Sequence, residues 1–117
     1  SGSTAELREH PVSLKPGVRL LGLRAEMAIA HTEIALLFLP FGGHTITGGI
    51  EGTHSYGSEH YTGLALDYRV HQVPPEQRQA LYTAIKDALG ADFDVLWEAR
   101  GTPEEHFHCE FDPKAPY

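Results

Sequence analysis

The chain has 117 residues, of which 41% are hydrophobic, enough for one core and too few for a second module. Nine basic against sixteen acidic residues give a net charge of -7, which argues against nucleic acid as a partner and offers no basic patch for anionic polymers. Cys109 is the single cysteine, so no intramolecular disulfide can form, and the longest apolar stretch, near 34–41, is too short to span a bilayer.

Residues 1–16 read as an N-terminal arm that opens on Ser1-Gly2-Ser3, a tag remnant, and is kept irregular by Pro11 and Pro16. The remainder, 17–117, is expected to be one domain. A first helix is predicted over 23–39, where Ala25, Met27, Ala28, Ala30, Ala35, Leu36 and Leu37 make an apolar rod ended by Pro40 and Gly42-Gly43. It is expected to pack under a sheet, with His31 in a structural role. A strand follows over 45–50, then a polar, glycine-rich loop over 48–57, bordered by Tyr56 and Tyr61, that is expected to cover a site.

The stretch 63–70 predicts a buried strand. Leu64, Leu66, Tyr68 and Val70 share one face, and Gly63, Ala65, Asp67 and Arg69 share the other. Pro74-Pro75-Glu76 then opens a second helix with Leu81, Ile85 and Leu89 at helical spacing, stopped by Gly90. Strands over 93–99 and 106–111 complete the order helix, strand, strand, helix, strand, strand. That order predicts an α+β fold, a small antiparallel sheet with helices packed on one face.

Chemistry concentrates in two segments. Ser58-Glu59-His60-Tyr61-Thr62-Gly63-Leu64-Ala65-Leu66-Asp67 is answered later by Glu105-His106-Phe107-His108. Asp67 lies beyond two residues too small to crowd what stands before it, and Gly63 lets the chain turn His60 toward the same point. In the last strand His106, His108 and Glu110 alternate with Phe107, Cys109 and Phe111, so the polar set faces the site and Cys109 the core. Either His108 or His106 then supplies a third ligand beside His60 and Asp67. Two imidazoles and a carboxylate are what a hydrolytic zinc needs, because the open fourth position admits water.

These motifs resemble the zinc D-alanyl-D-alanine metallopeptidases, a family of dipeptidases, carboxypeptidases and phage endolysins that cut peptidoglycan stem peptides. The resemblance covers roughly residues 17–113 and includes the flanking words Thr45-Ile46-Thr47-Gly48-Gly49 and Glu110-Phe111-Asp112-Pro113. It implies one zinc per chain, held on the sheet by His60, Asp67 and His108, with Glu105 as the general base and His106 at the oxyanion or the substrate. Zinc lowers the pKa of its water from ~16 toward ~7, Glu105 takes the proton, and the leaving amine receives it. By strand alternation Glu105 would face away from His108, so its place is expected in the loop just before pairing begins.

Many members carry an arginine after the strand that precedes the motif. This chain has none there, so His54, Ser55 or Arg69 is expected to anchor substrate, with Ser58 and Tyr61 as further contacts. The implied activity is that of a cell-wall endopeptidase or D,D-carboxypeptidase of phage origin, cutting D-Ala-D-Ala, L-Ala-D-Glu or a cross-link. Such a protein is expected to be a monomer made in the cytoplasm without a signal peptide, to act on the bacterial cell wall in lysis or from a virion, and to insert in no membrane. The alternative from another class is a zinc-binding module of hedgehog-like fold that binds a peptide or protein without hydrolysis.

Overall fold

The computed structural model describes residues 14–16, 24–49 and 65–113. The elements are helix α1 (Ala25–Phe38), strand β1 (Ile46–Gly48), strand β2 (Ala65–Arg69), helix α2 (Arg78–Leu89), strand β3 (Phe93–Glu98) and strand β4 (His106–Phe111), with single 3-10 turns at Leu39–Phe41 and Pro75–Gln77. The four strands form one antiparallel sheet in the order β1-β2-β4-β3. The fold is α+β, as the element order predicted. The first helix is shorter by a residue or two at each end than 23–39, and the third strand stops at Glu98 because Ala99 takes a left-handed φ of 55°.

α1 buries Met27, Ala30, Ile34 and Phe38, a 3-4-4 spacing that makes one continuous stripe. Its outer side keeps Ile29 and Leu36 exposed. The helix ends where the chain reverses through Gly42 (φ 90°) and Gly43 (φ 110°); the Gly43 N–H donates to the Phe38 carbonyl at 3.1 Å. Positive φ at two consecutive positions is what glycine accommodates without a Cβ clash.

The sheet has two unlike faces. Leu66 and Tyr68 of β2, Phe107 and Cys109 of β4 and Val95 of β3 join Met27, Ile34 and Phe38 of α1 and Leu81 and Ile85 of α2 in one core. Phe107 lies at its centre, with ring centroids 5.5 Å from Trp97, 5.6 Å from Tyr82 and 6.5 Å from Phe38. Burying such a side chain is worth about 1.5–3 kcal/mol. The Tyr82 hydroxyl donates to the Val95 carbonyl at 2.8 Å, tying α2 to the outer strand β3. Cys109 is a buried free thiol on this face, and burial pushes its pKa up. Among the described residues no helix is long and apolar enough to cross a membrane.

His31 sits where α1 crosses the sheet. Its Nδ1 shares a 2.7 Å hydrogen bond with the Tyr68 hydroxyl, and its ring stacks on that of Tyr68. Burial, with His44 beside it, lowers its pKa to about 4, so it is a neutral core histidine at neutral pH.

Candidate metal centre

Antiparallel pairing puts directly opposed residues on the same side of a sheet. Asp67 of β2 stands opposite His108 of β4, and Arg69 stands opposite His106. On the other side of β4, Glu98 of β3 opposes His106 and Asp94 opposes Glu110. The helix-free face therefore carries Asp67, Arg69, Asp94, Glu98, His106, His108 and Glu110, brought from three strands.

Within that set the contacts are close. His108 Nδ1 lies 2.8 Å from Asp67 Oδ1, and its Nε2 lies 2.8 Å from Glu110 Oε1. Burial alone would lower the His108 pKa, but hydrogen bonds and charge from Asp67 and Glu110 outweigh it and raise the value to about 9. A cation at this point competes with that proton. Asp67 has room because its strand partner is Gly48: a Cβ on Gly48 would come within 2.5 Å of Asp67 Oδ2.

Asp67, Glu98 and His108 each offer a ligand atom, and these atoms lie within 4.8 Å of one another. One imidazole with carboxylates is a donor set that zinc accepts, so the residues present fit the ion. The third ligand expected from the sequence, His60, lies outside the described residues, as do His54, Ser58 and Tyr61.

Glu105 is not brought to this group. It immediately precedes β4, in the loop where the sequence reading put it, but its carboxylate turns to the helix side. Arg78 Nη1 reaches Oε1 at 3.0 Å, the Trp97 indole N–H donates to Oε2 at 2.7 Å, and the Gly101 N–H donates to Oε1 at 3.2 Å. Burial pushes this carboxyl up, yet the donors and the Arg78 charge more than offset it, and the net pKa is lowered. The reason is strand parity: Glu105 has the alternation of Phe107 and Cys109, and three donors on that side satisfy it. These contacts make Glu105 the clasp of the β3–β4 loop.

Glu98 of β3 is the acidic residue that the sheet brings to this group from outside the motif. Its Oε1 is 3.0 Å from His106 Nε2, while His106 Nδ1 lies 2.7 Å from the Glu104 carbonyl oxygen. A carbonyl only accepts, so Nδ1 is the donor in that contact. His106 Nε2 is also 3.8 Å from Asp67 Oδ1. The Glu98 side chain is 46% exposed against 13% for His108 and 21% for Asp67, so of these three it is the one open to solvent. The signal for Glu98 lay in the alternation of the 93–99 strand, where it follows Trp97 and must face the opposite way. Finding it needed the β3–β4 register, because Glu98 is ten residues from His108 in the chain.

Comparison with family models, with curated proteins and with solved structures finds no match for this chain.

Proposed function

We propose that the chain is a zinc-dependent peptidase that hydrolyses an amide bond in peptidoglycan stem peptides, as an endopeptidase or a carboxypeptidase. The observation that supports it most is the convergence of Asp67, Glu98 and His108 on one polar sheet face, with ligand atoms within 4.8 Å. Of these, Asp67 and His108 would hold the ion with His60, Glu98 would stand beside it without being a ligand, and Glu110 would orient the His108 ring through Nε2. When bound there, zinc supplies the Lewis acidity that polarises a carbonyl and makes water acidic near neutral pH.

The proton chemistry falls to Glu98 in this reading. Its exposed carboxylate takes a proton from the attacking water at Oε and passes it to the leaving amine. His106, 3.0 Å away, holds Glu98 in place. Digestion of purified peptidoglycan by the zinc-loaded protein, read by mass spectrometry of the released ends, is expected to give cleavage that a chelator abolishes. Intact muropeptides alongside one bound zinc per chain would reject the peptidase and favour the peptide-binding module.

Gly48→Ala tests the ion site independently of turnover. The added Cβ displaces the Asp67 carboxylate, and zinc affinity is expected to fall by about 10–100-fold, the size of effect seen when a ligand loses its support. Competition with a chromophoric chelator measures it. Unchanged affinity would remove Asp67 from the ligand set.

A further inference from the structure

The two edges of the sheet differ. The outer side of β1 is paired, because the Lys15 N–H donates to the Ile46 carbonyl at 2.9 Å and Leu14 bridges Ile46 in parallel. β3 is the other edge, and among the described residues it pairs with β4 alone. Its register fixes which backbone groups turn outward. The Asp112 N–H donates to the Asp92 carbonyl at 2.7 Å, so these two residues form a hydrogen-bonded pair, and alternation makes Asp94, Leu96 and Glu98 the residues bonded to β4. Phe93, Val95 and Trp97 therefore turn their backbone groups outward. The Phe93 N–H is satisfied by the Gly90 carbonyl at 3.3 Å, and the Val95 carbonyl accepts from the Tyr82 hydroxyl. The Phe93 carbonyl, the Val95 N–H and both groups of Trp97 have no hydrogen-bond partner among the described residues. Such a row is a template for a further strand.

The side chains along this edge say what that strand should carry. Asp94, Leu96 and Glu98 stand in line on the helix-free face, with Leu96 exposed and the Glu98 side chain open to solvent. Behind them Glu110 of β4 opposes Asp94, and Asp112 lies with both, their oxygens within 4.8 Å. Neither β3 nor β4 contains a lysine or an arginine. On the helix side the same edge is apolar, formed by Val95, Trp97 and Tyr82. A second copy of the chain is a poor occupant, since pairing β3 with itself sets Asp94 and Glu98 beside their own counterparts in a chain of net charge -7. A basic strand meets opposite charge instead.

We propose that the outer edge of β3 is a docking site for an extended segment of another protein, added as an antiparallel strand, with lysine or arginine beside Asp94 and Glu98 and apolar residues alternating on the helix side. This depends neither on the ion nor on the peptidase reading.

The test titrates acetyl-Lys-Val-Lys-Val-Lys-Val-amide and its glutamate counterpart into the isotope-labelled full chain, read by NMR. The lysine peptide is expected to shift the Val95 and Trp97 backbone amides most and to slow their exchange with solvent. It should bind at least about tenfold more tightly than the glutamate peptide. N-methylation of its valines, whose N–H groups would meet β3, is expected to weaken binding by about tenfold through lost backbone hydrogen bonds, while N-methylation of its lysines changes it by less than about threefold. Asp94→Asn combined with Glu98→Gln should bring the lysine and glutamate peptides within about threefold of each other. No binding, equal affinity of the two peptides, equal loss on either methylation, an undiminished preference in the double variant, or shifts confined to another element would overturn the site. Concentration-dependent protection of the same amides without peptide would give the edge to a second copy and overturn it too. If the double variant fails to fold, the peptides and their methylated forms decide on the unaltered chain.

Discussion

Glu98→Gln is expected to lower peptide hydrolysis by about 10²–10⁴-fold, the usual contribution of a positioned general base, while the protein stays folded and binds zinc. Glutamine keeps the size of the side chain and a hydrogen bond to His106 Nε2, so the sheet face is little disturbed. What it removes is the ability of Oε to hold a proton. The informative control is Glu105→Gln, which by the same geometry should leave turnover per folded molecule within a few-fold of the parent. An inactive, zinc-loaded and folded Glu105→Gln beside a fully active Glu98→Gln would reverse the assignment of the base and restore the reading made from sequence.

Glu105 has its own large effect, on stability. Its side chain is 8% exposed and that of Arg78 16%, and the carboxylate also accepts from Trp97 and the Gly101 N–H. Neutralising one partner strands a largely buried guanidinium. Glu105→Gln is therefore expected to cost about 3–5 kcal/mol, measured as a fall in the urea midpoint with little change in slope. Much of that cost is Arg78 left unpaired, so Arg78→Met combined with Glu105→Gln should destabilise by clearly less than the sum of the two single changes. Additive losses would mean that the contact contributes nothing.

The pH dependence of that contribution has a definite sign. The Glu105 pKa is lowered in the folded chain from its ordinary 4.5, so the unfolded chain binds the proton more readily. The stabilisation is complete above the unfolded value and is lost as pH falls through the folded one. The stability gap between the parent and Glu105→Gln should thus be flat near neutrality and close in acid below about 4.5.

The α+β architecture was legible because it depends on local pattern. The alternation of Leu66, Tyr68, Phe107 and Cys109 with Asp67, His106 and His108 has the period of a strand, and Leu81, Ile85 and Leu89 have that of a helix. The same alternation gave each strand a polar and an apolar face, and the helices cover the apolar one. Element ends were less legible, since the stop at Glu98 comes from the left-handed φ of Ala99, which nothing in the residue type demands.

The sequence by itself determined on which face of its strand each polar residue lies, because a period of two is a property of the backbone. Tertiary structure alone decided the partners. Pairing β4 between β2 and β3 set Asp67 against His108 and brought Glu98 to His106 from a strand that the motif does not contain. It also turned the Glu105 carboxylate to the helix side, where Arg78 of α2, Trp97 of β3 and the Gly101 N–H donate to it.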